Sequence, residues 1–278
     1  MSPAGQRWLR IARNEVQEVR RDRTLLALVA LFTLLGVLLG YLLAQGVGFA
    51  EPGTTYAVLV LQLMGILVPL VAVGITYERL VGRRVDGSLK LLLGLPYLRW
   101  DVLVGSYVGR AVVTIAVTVV AFLSILVASV VFGAGVPTGP LPVQAFLLIV
   151  ALGVVFTGIG ITASSVTSTT SRAAMLTFLV TVVMLFLWGP AVTGLVWIVN
   201  GFQFAAAEPA WATFLQTLNP VNAFKGLASM LVPTFEGVSG LVGGETAYQT
   251  PAWAVGVLAT WAVVVPLLGY RRFRSADL

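Results

Sequence analysis

The chain has 278 residues, of which 58% are hydrophobic, 10% are charged and none is cysteine or histidine. That composition excludes an ordinary soluble domain, any disulfide, zinc sites built on Cys or His, and a Ser-His or Cys-His nucleophile pair. A net charge of +6 would point to nucleic acid in a soluble protein; here sixteen of the seventeen basic residues fall on one side of a row of apolar spans, so no nucleic-acid partner is expected.

Residues 7–21 predict an amphipathic helix. Trp8, Leu9, Ala12, Val16 and Val19 share a stripe, with Arg10, Arg13, Gln17 and Arg21 opposite. The basic face and aromatic edge fit an interfacial helix lying on the inner leaflet. Glu15 lies inside the apolar stripe and needs a partner, for which Arg23 or Lys90 is in reach. Six apolar runs then predict transmembrane helices over 24–44, 57–77, 108–132, 144–166, 173–199 and 252–270. Each is close to the roughly 20 residues that cover about 30 Å of hydrocarbon. The first starts too late and runs too long for a signal-peptide core, and reads as a retained span. Six spans put both termini on one face. That face carries 16 basic and 7 acidic residues, whereas the other carries Lys225 against Glu51, Glu208, Glu236 and Glu245. Positive loops stay inside, so both termini are expected in the cytoplasm of a cell-membrane, multi-pass protein.

Within the spans, Gly36, Gly40 and Ala44, and likewise Gly153, Thr157, Gly160 or Ile161, and Ser164, follow the small-residue spacing that lets helices approach closely. Packing inside the chain is the expected use. The loop at 78–107 crowds Glu78, Arg79, Arg83, Arg84, Asp86, Lys90, Arg99 and Asp101 around the short run 89–95. Asp86 or Ser88 can cap a helix there and Pro96 ends it. Too short to cross, that Leu-rich helix must dock on something. The polar turn 164–172 offers hydroxyls for two helix ends. Trp188-Gly189-Pro190 predicts a kink in the fifth span. Between spans five and six, Trp211, Phe214, Leu215 and Leu218, then Phe224, Leu227, Ala228 and Leu231, predict two short helices. They form an outer re-entrant hairpin turning at Asn219-Pro220.

Charged residues sit at span ends or in loops, which argues against a proton- or sodium-coupled carrier. Neither Lys90 nor Lys225 stands in a Gly-Lys-Ser/Thr phosphate loop, so this chain should not hydrolyse ATP. No catalytic, cofactor-binding or metal-ligating residue is assigned, and the chain is not expected to be an enzyme. It moves or positions something with energy supplied from elsewhere.

The run Tyr77-Glu78-Arg79, Gly82-Arg83-Arg84, Asp86-Gly87-Ser88-Leu89-Lys90-Leu91-Leu92-Leu93-Gly94-Leu95-Pro96, then Arg99 and Gly105, resembles the signature of ABC type-2 transporter permeases. Within that family it is similar to the branch of the nitrous-oxide-reductase maturation (copper-processing) permease. Ile11-Ala12-Arg13-Asn14-Glu15 through Arg20-Arg21-Asp22-Arg23 resembles the family's elbow helix, and Leu218-Asn219-Pro220-Val221-Asn222-Ala223-Phe224 its outer hairpin. The chain departs from the pattern at Arg83 or Arg84, where relatives often carry an acidic residue, and near Ser106, where they carry a lysine.

The resemblance implies one all-α permease domain over 1–278 and a separate ABC ATP-binding subunit that holds the ATP. It also implies a homodimer or a dimer with a related permease in the lipid bilayer, of the export type. The implied coupling loop comprises Glu78, Arg83, Arg84, Asp86, Gly87, Ser88, Leu89, Leu92, Leu93, Pro96 and Arg99. Leu89, Leu92 and Leu93 would anchor in the ATPase, and Arg83, Arg84, Asp86 and Arg99 would set orientation at the rim. Glu78 would transmit tilt through Arg79 or Arg99. The branch implies a link to copper or sulfur supply, although the chain has no Cys or His ligand of its own. A non-transporting scaffold that anchors or regulates a partner enzyme is the alternative reading of the same loop.

Overall fold

The computed structural model describes residues 6–19, 23–45, 52–135, 139–203, 207–232, 242–244 and 246–275. Arg20, Arg21, Asp22, Glu51, Glu236 and Glu245 lie outside the described residues, as does the side chain of Leu93. The described elements are all helical, and six helical stretches are long and apolar enough to cross a membrane.

Helix α1 (Arg7–Val19) precedes α2 (Arg23–Ala44) and α3 (Pro52–Gly74). Two seven-residue helices, α4 (Arg79–Val85) and α5 (Ser88–Gly94), lead into α6 (Arg99–Val131). Helix α7 spans Leu141–Val166. The fifth long stretch is composite: α8 (Thr170–Val182), a π-turn over Val183–Leu187, and α9 (Trp188–Val199). The hairpin α10 (Ala210–Thr217) and α11 (Pro220–Leu231) and the long α12 (Pro251–Ser275) complete the chain.

The third long helix starts nine residues before its apolar run. The sequence assigned Arg99, Asp101 and Gly105 to a loop, but Asp101 accepts the Leu98 N–H at 3.0 Å and caps a helix that begins at Arg99. Pro96 and the extended backbone at Leu98 set that start.

Helix α7 is the centre of the bundle, touched by α3, α6, α8, α11 and α12. Its small residues make this possible. Gly153 lies against Val68 and Thr114, Gly160 against Thr76, and Thr157 shares a 3.1 Å hydrogen bond with Thr114. Helix α6 serves as the second spine. Gly36 of α2 meets Ser124 and Ala121, and Gly40 meets Ala128 and Ile125. The small-residue series of the first span is therefore an internal seam.

The kink expected at Gly189-Pro190 is a π-turn one step upstream. Pro190 has no N–H to return to the carbonyl of Phe186, so the helix widens over Val183–Leu187 before it resumes. The hairpin turn fills the gap in the ladder. Buried Asn219 donates to the Met184 carbonyl at 2.9 Å and accepts the Val221 N–H at 2.8 Å, capping α11. Three indole N–H groups then fix the end of α10: Trp188 to the Leu215 carbonyl, Trp253 to Thr217 Oγ1 and Trp261 to the Leu218 carbonyl, at 2.9–3.1 Å. The Leu215 and Leu218 carbonyls are among the last acceptors of α10, where intrahelical pairing runs out.

Candidate functional site

Below the main core a second apolar cluster gathers Ile11, Leu80, Leu89, Val102, Leu103, Ile161 and Phe273 from α1, α4, α5, α6, α7 and α12. Helix α4 is tied down at its start by Ser164, whose Oγ accepts the N–H groups of Leu80 and Val81 at 2.9 and 3.0 Å. Gly87 links α4 to α5 in the left-handed conformation, φ +77°. Asp86 Oδ1 then accepts both the backbone N–H and the hydroxyl of Ser88 at 2.9 and 2.7 Å, fixing the first turn of α5.

Leu89 points inward and is fully buried, and Leu92 is half-buried against the same cluster. The expectation that Leu89 anchors in a partner is therefore corrected: its side chain completes the chain's own core. The exposed apolar positions are Leu91 at 78%, Leu95 at 55%, Leu98 at 62% and Val85 at 63%. Together they leave an uncovered ridge along α5 and its flanks.

The basic residues expected at the rim are also turned inward. Arg84 donates to the Thr167 carbonyl at 2.8 Å, and its guanidinium lies 5.8 Å from the centre of the Phe273 ring. Arg99 donates to the carbonyls of Phe273 and Arg274 at 2.7 and 2.9 Å, closing the end of α12. Arg79 turns to Glu15 and Glu18 instead of Glu78, which is exposed. Asp86 and Lys90 are the charged side chains exposed beside the ridge.

The centre of the base is a charge cluster. Helix α1 lies across α6 where Gly105 faces Ile11 and the Trp8 carbonyl, and Gly109 faces Ala12 and Glu15. That close approach brings Glu15, wholly buried, among three arginines. Its Oε2 accepts from Arg79 Nη2 at 2.7 Å and from Arg110 Nε at 2.9 Å. Its Oε1 pairs with Arg83 Nη2 at 2.8 Å and accepts from Ser106 Oγ at 3.0 Å. Glu18, half-exposed, reaches Arg79 and Arg83 from the rim. Burial alone pushes the Glu15 carboxyl upward, but Arg83, Arg79 and Arg110 outweigh it and hold the group below the ordinary carboxylate range. Of the partners foreseen for Glu15, Lys90 is exposed away from it and the Arg23 side chain lies outside the described residues; the arginines that hold Glu15 come from α4 and α6. The signals that could have found them are Glu15 in an apolar stripe and the Gly105, Gly109, Arg110 pattern inside an otherwise apolar helix.

The cluster and Leu89 make one unit of α1, α4, α5 and α6, joined to α7 and α12. Leu89 is the buried side chain by which α5 joins that shared cluster. Among the described residues no three His, Cys, Asp or Glu side chains gather into a metal site.

Comparisons agree with this architecture. A model of the ABC-2 family transporter protein matches residues 9–278. The chain is 36% identical over 115 residues to the probable ABC transporter permease protein NosY of Pseudomonas aeruginosa, covering 40% of this chain and 42% of that protein. It is 35% identical over 115 residues to the NosY protein of Stutzerimonas stutzeri, covering 40% and 41%. The aligned stretch thus spans about two-fifths of the length of these relatives. Six long apolar helices and a family match that runs nearly end to end place the chain in the ABC-2 family of transporter proteins.

Proposed function

We propose that the chain is the membrane-spanning permease subunit of an ABC transporter, powered by a separate ATP-binding subunit that seats on the α5 ridge. The observation that carries this reading is the division of labour within seven residues. Leu89 is locked into the base, while Leu91 on the same short helix and Leu95 just after its end stand in the open. A surface like this is costly to leave in water, and it is wired through Leu89 to α1, α6, α7 and α12. Closure of the ATPase pair would push the ridge and tilt those helices together. ATP stays on the partner, and the chain supplies no hydrolytic group.

The same reading sets the chain in the cell membrane as one permease domain, with both termini and the α4–α5 pair in the cytoplasm and basic residues on the inner side. Helix α1 lies along the inner interface, and a second copy or a related permease completes an export pathway. The hairpin is re-entrant. Asn219 touches Met184, which lies midway along the composite stretch Thr170–Val199. At about 1.5 Å per residue, that contact is about 22 Å below the end of α9, the depth expected of a hairpin tip inside the bilayer.

The test is Leu91→Asp with Leu95→Asp. We expect the variant to fold, to lose co-purification with its ATP-binding subunit and to lose stimulated hydrolysis, whereas Leu89→Asp disrupts the base itself. Retention of both properties by the doubly charged protein would defeat the docking proposal. Association without any ATP-dependent movement of cargo would mark a scaffold instead.

A further inference from the structure

Two isolated polar side chains converge at one crevice. Gln62 is the only polar side chain of α3 between Ala57 and Gly74. Lys225 is the only basic residue of α10 and α11, with buried Phe224 and Gly226 on either side. Both line a cavity of about 340 Å³ whose remaining walls are Leu61, Gly65, Ile66, Leu185, Phe186, Val221 and Phe224. Neither Lys225 nor Gln62 forms a hydrogen bond or ion pair among the described residues, and both side chains retain access to the cavity. The π-turn contributes Leu185 and Phe186, so the same backbone widening that receives Asn219 also shapes this wall.

The neighbours fix the position of the crevice. Phe224 packs on Gly65, where an added Cβ would come within 2.9 Å of the ring. Gly65 lies eight residues inside the start of the second long apolar stretch. If the hairpin is re-entrant, Lys225 stands within the outer half of the bilayer. A cation at that depth is expensive unless it meets water or an opposite charge. The cavity falls within the roughly 300–1,000 Å³ of small-molecule sites and has their pattern, an apolar lining with a few convergent polar groups.

We propose that this crevice binds an amphiphilic anion, with its head between the Lys225 ammonium and the Gln62 amide and its hydrocarbon part against Leu61, Ile66, Leu185 and Phe186. The lysine supplies a charge-assisted donor, the amide a second donor, and the walls exclude water from the tail. The proposal rests on the permease reading for its meaning, since it names the chemical class such a pathway would admit. The head chemistry is shared by an outer-leaflet phospholipid and by a free amphiphile such as a fatty acid or alkyl phosphonate.

The experiment uses the full chain with its ATP-binding subunit in nanodiscs, with dansyl-undecanoic acid as fluorescent probe. In phosphatidylcholine discs we expect saturable binding, displaced by dodecylphosphonate and not by dodecanol. Lys225→Met should weaken it by about ten- to hundredfold, the worth of one charge-assisted hydrogen bond. Lys225→Arg should keep it within about threefold on the same grounds, and Gln62→Leu should weaken it severalfold. Binding in phosphatidylcholine that disappears in phosphatidylglycerol discs assigns the site to lipid headgroups, and binding in both assigns it to a free amphiphile. Equal binding by wild type and Lys225→Met, or equal displacement by dodecanol, overturns the site. Failure of the ATP-binding subunit to co-purify, with probe binding intact, would sink the permease reading and leave the site standing.

Discussion

Replacing Glu15 with alanine removes the carboxylate that Arg79, Arg83 and Arg110 share. The three arginines do not lose equally. Arg79 and Arg83 are 23% and 18% exposed at the side chain and keep Glu18 beside them. Arg110 is 3% exposed, and Glu15 is its carboxylate partner among the described residues. The cost therefore falls on one stranded guanidinium, and breaking a buried pair in this way costs about 3–5 kcal/mol. Helix α1 carries the lost partner, so the penalty is relieved by α1 lifting from Gly105 and Gly109. At about 1.4 kcal/mol per factor of ten, amide exchange across residues 11–19 should accelerate by roughly one hundred- to a few thousandfold. Hydrogen exchange with mass spectrometry on the protein in nanodiscs reads this directly. Glu18→Gln, at an exposed pair worth about 0.2–1 kcal/mol, should change the same peptides by less than about fivefold. Adding Arg110→Met to Glu15→Ala removes the stranded charge and should restore most of the protection. Exchange within threefold of wild type in Glu15→Ala alone would refute the reasoning, leaving helix packing as all that holds α1.

Three further outcomes follow from the same contacts. Gly109→Val would put a Cβ at 2.6 Å from Glu15 Cβ and 2.9 Å from the Ala12 carbonyl, so α1 should undock as in Glu15→Ala, whereas Gly189→Ala, with nothing within 4 Å, should leave the melting temperature unchanged or slightly raised. Asn219→Ala removes the bond to the π-turn and the cap of α11, about 1–3 kcal/mol in all, and should lower the melting temperature in detergent by several degrees. Because the Glu15 carboxyl is held low in the folded protein, its contribution is present above about pH 4.3, the unfolded value, and is lost as pH falls through the depressed folded value. Protection of α1 should therefore stay level from pH 7 to pH 5, decline only in acid, and show no such acid step in Glu15→Gln.

Much of the fold was legible because lipid imposes one dominant pattern. Six apolar runs gave six long helices, and the small-residue spacing of Gly36 and Gly40 gave a real seam. What escaped was set by contacts distant in sequence. Glu15 announced that it needed a partner, but Arg79, Arg83 and Arg110 lie 64 to 95 positions away, and nothing local distinguishes them from the nearer Arg23. The early start of α6 was hidden because Arg99 and Asp101 look like loop residues until the cap at Leu98 accounts for them. On α5, seven residues are too few to show which leucines face inward, and the choice of Leu89 over Leu91 was made by the Ile11, Leu80 and Phe273 surfaces. The disruption of the fifth span was readable from Gly189-Pro190, but its repair by Asn219, 35 positions beyond the Met184 carbonyl it binds, was not.

The measurement that bears most directly on the central claim is a crosslink. The chain has no cysteine, so Leu91→Cys gives a single reactive site on the α5 ridge, and Leu89→Cys a buried control. With a short maleimide crosslinker applied to membranes co-expressing the transporter's subunits, we expect Leu91→Cys to yield an adduct with the ATP-binding subunit, and Leu89→Cys to yield none. A Leu91→Cys protein that labels fully from outside the cell, or that never crosslinks to that subunit, would contradict the assignment.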